Sequence, residues 1–312
     1  MMSCPRKIAT TVICCNGFLS RLVHAAVLVC AGSLFFFHQH YAHAETAMSD
    51  LRKLDRPEIL SVLFHPRGRG RTAPPEGAVN IDIPVAENII IGSRLFTADR
   101  KDPVILFFHG NGETVPDYDD IGPVYAGMGL NFLITDYRGY GWSSGNPSAS
   151  ALISDGRIIY KKIIQWLEDN GFIGKLFVMG RSMGSAPAID LAAEYGNEEL
   201  GGLIIESGFA ETVPLARTLG IDLEAMGISE EDCFNNSDKI SRVTVPTFIL
   251  HGQRDSLIPL WQAQRLHAAC GAKSKELQII PGADHNTLMA VAGMLYFQAV
   301  KSYVDKVTGS VN

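Results

Sequence analysis

The sequence predicts an α/β fold in which a mostly parallel central sheet carries helices on both faces and a small helical cap. Three observations lead there. Apolar, β-rich runs alternate with helix-length amphipathic stretches along most of the 312 residues. The runs are apolar without interruption, which suits strands covered on both faces, whereas a half-exposed strand would alternate. Each run closes in a polar or Gly-rich loop, and in open parallel sheets ligands bind outside the carboxyl ends of the strands.

The first 47 residues differ from the rest. They hold three basic residues against one acidic one, four of the six cysteines, and an uncharged stretch over residues 22–37. Arg6, Lys7 and Arg21 make a basic start, LVHAAVLVCAGSLFFF an apolar centre and Ala42-His43-Ala44 a small-residue cleavage site, the pattern of a signal peptide. The apolar stretch is shorter than the ~20 residues that span a bilayer. Export, to the periplasm or the medium, is the favoured expectation. A start at Met48, which opens the ordinary soluble stretch MSDLRKLDRPEIL, would instead make the upstream segment a misassigned extension and the protein cytoplasmic.

Residues 48–312 contain no repeat and no low-complexity linker, so a single domain is expected. AVNIDIPV (78–85) and NIIIGSRLF (88–96) flank a short turn and read as a hairpin at the edge of the sheet. VILFFHG, NFLITDYRG, KLFVMGRS, GGLIIESG, PTFILHGQRD and ELQIIPGADH follow as six strands, with helical patterns near 150–170, 183–196, 259–271 and 286–305. Residues 208–242 are too long for a simple connection, and ETVPLARTLGI and DLEAMGISEED within them predict two short helices forming the cap.

Lys and Arg number 27 against 33 Asp and Glu, a net charge of −6, and no long basic block offers a footprint for nucleic acid. The one dense basic patch, Arg67, Arg69 and Arg71 in RGRGR, reads as a solvated loop in preference to an anion or headgroup site. His38, His40 and His43 have ligand-like spacing but fall at the polar end of the targeting segment. No metal or organic cofactor is expected. Cys233 and Cys270 are expected as free thiols, there being no dense cysteine framework.

The strand ends carry the chemistry. VILFFHGNGE delivers His109-Gly110-Asn111-Gly112, KLFVMGRSMG delivers Ser182 in a GxSxG pattern, FILHGQRD delivers Asp255, and LQIIPGADH delivers His285. A serine hydroxyl is a poor nucleophile, so a histidine must take its proton during attack and return it to the leaving group. A carboxylate then fixes the tautomer of that histidine. Asp255 fits this role; Glu206, at the end of GGLIIESG, and Asp284, beside His285, are alternatives. Charge developing on a substrate oxygen needs two preorganised donors, for which the backbone N–H groups of Asn111 and Met183 are the candidates. Ser182 as a mere helix cap is the competing reading.

Leu215, Leu219, Ile221 and Met226 from the cap, with Trp142 from the loop opposite, are candidates to line an acyl pocket. Asp136, Arg138 and Gly141 in DYRGYGWSSG read as loop anchors that pin the chain through a charge-assisted pair and tight turns. His109 and His251 read as hydrogen-bonding residues at strand ends.

Taken together, HGNG, DYRGYGWSSGNPS, GRSMGSAPAIDLA, HGQRDSLIP and GADHN resemble the α/β-hydrolase superfamily, in particular its small, short-capped serine aminopeptidase-like branch. The resemblance covers roughly residues 55–305. That branch includes membrane-associated hydrolases, some of them protein depalmitoylases. It implies a nucleophile–acid–base order that selects Asp255, one strand before His285. It also implies a serine hydrolase acting on a small-molecule or acyl substrate without a cofactor, and it leaves contact with a membrane surface open. Ester or thioester cleavage is expected ahead of an aminopeptidase or dipeptidyl-type peptidase, because nothing announces an acidic pocket for a free amine. A catalytically silent hydrolase-fold binding protein is the alternative from another class.

Overall fold

A computed structural model describes residues 51–196 and 200–310, so residues 1–47, expected to be a targeting segment, and the histidines within them lie outside the described residues. Among the described residues eight strands form one sheet: β1 (Ala78–Ala86), β2 (Ile89–Phe96), β3 (Val104–Phe108), β4 (Asn131–Thr135), β5 (Leu176–Arg181), β6 (Leu200–Glu206), β7 (Thr247–Gly252) and β8 (Lys275–Ile280). Their spatial order is β1-β2-β4-β3-β5-β6-β7-β8. β1 and β2 make the expected hairpin, turning at Glu87 and Asn88, whose φ of 59° is the left-handed value such tight turns require. β2 is antiparallel to β4 as well, and every later pairing is parallel, so β2 alone runs against the other seven.

The uninterrupted apolar runs are explained by what lies on each face. In β3, Leu106 and Phe108 enter one core while Ile105 and Phe107 enter the other, and Val178 and Met179 divide in the same way in β5. Successive strand side chains point to opposite faces, so both faces must be covered. Helices α3 (Ala149–Asp169) and α4 (Ser185–Tyr195) cover the first, contributing Ile159, Ile163 and Ile189. On the second, Tyr296, Phe297 and Val300 of α9 (Met294–Thr308) pack against Phe177, Ile204 and Phe248. Each such fully buried apolar side chain contributes about 1.5–3 kcal/mol. The remaining helices are α1 (Pro57–Leu63), α2 (Gly122–Gly127), α5 (Thr212–Thr218), α6 (Asn236–Ser241), α7 (Leu260–Ala269) and α8 (Leu288–Ala292).

After β3 the chain crosses to β4 on one side and then returns to place β5 on the other side of β3. That reversal opens a crevice at the carboxyl ends of β3 and β5, the position where parallel sheets bind ligands.

Two predicted elements come out differently, and one helix ahead of the sheet is unpredicted. The helix expected over 286–305 is two helices, broken at Gly293, whose φ of 55° leaves the helical region. In the cap, α5 forms within ETVPLARTLGI, but DLEAMGISEED makes turns through Gly227 (φ 73°) and a single 3-10 turn, Glu230–Asp232. Ser229 and Asp232 satisfy one another's backbone N–H groups there and close the chain before an α-helix can develop. The cap's second α-helix is α6, followed by the strand β7. Ahead of the sheet, α1 was not expected; Pro57 at its first turn starts it.

Asp190 ties α3, α4 and α6 together. Its carboxylate, 2% exposed, accepts from Arg157 (Nε to Oδ2 2.7 Å) and lies 2.7 Å from Lys239 Nζ. Burial opposes its charge, yet Lys239 and Arg157 outweigh burial and hold the carboxyl below its ordinary value. A carboxylate depressed in the fold stabilises it above the unfolded pKa of about 3.9, and that stability is lost as pH falls through the lower, folded value. Asp190→Asn is expected to cost about 3–5 kcal/mol in urea unfolding at pH 7, because two cations lose their counter-charge. The gap between variant and wild type should shrink in unfolding series carried below pH ~4.

Candidate active site

Ser182 sits on a forced turn. β5 ends at Arg181, a 3-10 turn covers Ser182–Gly184, and α4 begins at Ser185. Ser182 has φ 52°, a conformation that non-glycine residues rarely adopt. The two flanking glycines are sterically required. A Cβ on Gly180 would lie 2.1 Å from the carbonyl oxygen of Gly184, and one on Gly184 would lie 2.1 Å from that of Phe108 in β3. The Ser185 hydroxyl donates to the Ser182 carbonyl at 2.6 Å and fastens the turn from the helix side. Ser182 is not a helix cap: Gly184 occupies the N-cap position of α4, with no side-chain cap.

His285, on the loop after β8, brings Nε2 to 2.9 Å from Ser182 Oγ and Nδ1 to 2.8 Å from Asp255 Oδ2. A carboxylate only accepts, so Nδ1 carries the proton and Nε2 presents its lone pair to the serine hydroxyl, which donates. Asp255, after β7, is itself held: its Oδ1 accepts from the backbone N–H groups of Leu257 (3.0 Å) and Ile258 (2.7 Å). All three side chains are buried.

The two alternative carboxylates are engaged elsewhere. Glu206 accepts from Arg181 Nε at 3.2 Å and from the Tyr296 hydroxyl at 2.7 Å. Asp284 caps its own loop through the N–H groups of Asn286 and Thr287. His251 donates from Nε2 to the Ile258 carbonyl at 2.7 Å, and burial holds its pKa down. His109 bridges the Gly110 carbonyl (2.7 Å) and Asp136 Oδ1 (3.1 Å). Arg138 does not pair with Asp136 but with Asp155 of α3, by two bonds of 2.6 and 2.8 Å. Gly141 (φ 52°) is where Asp136 packs, since a Cβ there would meet Oδ2 at 2.0 Å.

Asn111 and Met183 both line the same cleft as Ser182. The side chain of Asn111 is fully engaged: Nδ2 donates to the Leu63 carbonyl (3.0 Å) and contacts His65 Nδ1 (2.8 Å). Its Oδ1 accepts from the His65 N–H (2.8 Å) and the Tyr140 hydroxyl (2.7 Å). These bonds fix the loop that borders the cleft beside Ser182.

The cleft beside Ser182 has about 530 Å³, counting the space open to solvent. Leu215 and Leu219 line it; Ile221 and Met226 do not. Trp142 is also outside it, a correction with a clear cause. Its indole covers Gly92 of β2, where a Cβ would lie 2.3 Å away, and its Nε1–H donates to Asp82 at 2.9 Å. Residues not foreseen as lining are Leu63 and Phe64 at the end of α1, Phe209, Thr212, Phe234, Leu257 and Ile258. Leu257 and Ile258 follow Asp255 in HGQRDSLIP, whereas the other walls come from segments outside the quoted motifs.

Arg67 and Arg69 pair with Asp117, and Arg71 with Asp82. Cys233 and Cys270 are buried free thiols, and burial pushes the Cys233 pKa up to about 12, so its thiol is inert. Among the described residues no cluster has the make-up of a metal site, and no helix is long and apolar enough to cross a membrane.

Comparison with known proteins agrees with this fold. The chain is 28% identical over 209 residues to protein bem46 of Schizosaccharomyces pombe, covering 65% of this chain and 67% of that one. It is 30% identical over 213 residues to alpha/beta hydrolase domain-containing protein 17B of Homo sapiens, covering 65% and 66%. Among solved structures, the Pyrococcus furiosus esterase Pf2001 superimposes with a TM-score of 0.62 at 19% identity, over 78% of this chain and 98% of that one. The sequence model described as Serine aminopeptidase, S33 matches residues 99–220 and 231–290, more than half of the chain and every strand from β3 to β8. The chain therefore belongs to the Serine aminopeptidase, S33 family of α/β hydrolases.

Proposed function

We propose that the protein cleaves a carboxylic ester or thioester through an acyl-enzyme on Ser182. The observation that carries the proposal is the continuous line Ser182 Oγ–His285 Nε2, Nδ1–Asp255 Oδ2, buried at the edge of an apolar cleft. In the first half-reaction His285 takes the hydroxyl proton as Oγ bonds to the substrate carbonyl carbon. The imidazolium then returns that proton to the departing alkoxide or thiolate. In the second, water attacks the acyl-enzyme by the same route and releases the acid and free Ser182. Asp255 keeps the proton on Nδ1 and stabilises the imidazolium. The N–H groups of Asn111 and Met183 are assigned to the oxyanion, each worth about 10²–10³ in turnover by analogy with other oxyanion holes.

The lining of the cleft favours an acyl chain over a peptide N-terminus. Leu63, Phe64, Phe209, Leu215, Leu219 and Phe234 offer apolar surface, and no carboxylate among the lining residues could pair with a free ammonium group. An aminopeptidase would have to bury that cation unpaired.

Purified protein should react with a fluorophosphonate at Ser182 alone and hydrolyse p-nitrophenyl acyl esters faster than aminoacyl arylamides. Ser182→Ala is expected to lower kcat at least ~10⁴-fold with an unchanged melting curve. A folded protein that neither labels nor turns over would make it a binding protein instead. Leu219→Trp, which fills the cleft, should lower kcat/KM for long acyl chains at least ~10-fold while sparing acetyl esters; a uniform loss across chain lengths would place the acyl group elsewhere. Gly184→Ala should destabilise the fold by about 1–3 kcal/mol in denaturant titration, since its methyl must displace the β3 backbone.

A further inference from the structure

Arg181 stands between the glycine and the serine of the GRS turn, and its side chain does not line the acyl cleft. It is turned into the protein, 11% exposed, where every guanidinium nitrogen meets an acceptor. Nε donates to Glu206 Oε1 at 3.2 Å, Nη1 to Glu113 Oε1, and Nη2 to the carbonyl of His285 itself at 3.1 Å and to Asn286 Oδ1 at 3.2 Å. Glu113 is in turn fixed to the β3 loop, its Oε2 accepting from the N–H of Gly110 and the Tyr118 hydroxyl, both at 2.7 Å. Glu206 is held on its far side by Tyr296.

We propose that Arg181 is a positioning residue for the Ser182 reaction. One guanidinium sets the loop that carries His285, and through Glu113 the loop that carries Asn111, in register with the serine turn. The inference rests on the serine-hydrolase reading above. Two features support it beyond the bond count. The carbonyl it grips belongs to the base, so the backbone of His285 is fixed at the residue whose ring must meet Ser182. Gly110, immediately before Asn111, is bare where the pair passes: a Cβ there would lie 2.6 Å from Arg181 Nη1 and 3.1 Å from Glu113 Oε1. The β3 loop thus leaves open the space through which Arg181 reaches Glu113.

The planar fork is needed because the acceptors diverge. A lysine ammonium is a single point on a flexible stem and reaches one or two of them at a time. Misplacing a catalytic group by about 1 Å costs up to ~10²-fold, whereas the apolar cleft that binds the acyl chain is built from other residues.

The test uses the full chain with Ser182 titrated by fluorophosphonate, so that rates are expressed per reactive site. Arg181→Gln should lower kcat for a p-nitrophenyl butyrate probe at least ~10-fold per titrated site with KM changed less than ~2-fold, and Arg181→Lys should recover part of the loss. A purely structural arginine would lower the melting temperature and the number of titratable sites while leaving the rate per site intact, and that result overturns the proposal. Should Arg181→Gln not fold, Glu113→Gln removes one arm with Arg181 still paired to Glu206, and an unchanged kcat per site there overturns the proposal equally. Wild-type protein that fails to label would bring down the hydrolase reading itself, whereas normal wild-type labelling with an unaffected Arg181→Gln would remove the arginine's role alone.

Discussion

The site depends on how closely the turn after β5 approaches β3. Gly184 rests against the carbonyl of Phe108, Gly180 against the carbonyl of Gly184, and between them Ser182 is held at positive φ. Strain of this kind, of order 1–3 kcal/mol, persists only where the surroundings over-determine the backbone. Here the parallel pairing of β3 with β5 does so, with Ile105, Leu106, Phe107 and Phe108 filling both cores beneath. The sheet is thus the mould of the turn. What Ser182 gains is a hydroxyl lifted clear of its own strand and set before His285 at 2.9 Å.

Around the turn, charge is arranged so that each loop is answered by a buried partner. Asp255 takes two backbone N–H groups on one oxygen and His285 on the other, and Arg138, on the loop after β4, clamps Asp155. A buried ion pair adds little stability over an apolar pair of the same shape, but it is strongly directional, and removing one member is expensive. Such pairs suit loops, which lack the apolar repetition that fixes helices and strands. The apolar cores hold the sheet, and the polar pairs hold what the sheet presents.

Much of this was legible in the sequence because the signals are local. A strand buried on both faces announces itself as an uninterrupted apolar run, so VILFF and KLFVMG marked β3 and β5 within a residue or two. GRSMG marked the turn, since only glycine tolerates the contacts on either side. His285 stood out by its place after a strand, whereas Asp255 competed there with Glu206 and Asp284 and was preferred only through the order that the family resemblance implies. What escaped was set by distance in space. Trp142 reads as a pocket aromatic, yet Gly92, fifty residues earlier, offers the bare backbone that it covers. Phe64 and Phe234 form cleft walls although neither lies in a motif, and Arg181 has its partners at Glu113, Glu206 and His285, none visible as a pattern. In the cap, DLEAMGISEED carries helix-forming residues, but Gly227 and the reciprocal Ser229–Asp232 bonds end each turn as it forms.

The anchoring of Asn111 ties the site to the beginning of the domain. Its amide bonds to Leu63 and His65, with Tyr140 closing the ring, so a loop in the middle of the sheet is secured by chain 46 residues earlier and 29 later. A chain that has formed its strands but not yet docked α1 has a sheet and a serine turn without a finished site. The surroundings of Ser182 are accordingly complete only when α1 is docked onto the loop that carries Asn111, and not with the sheet alone.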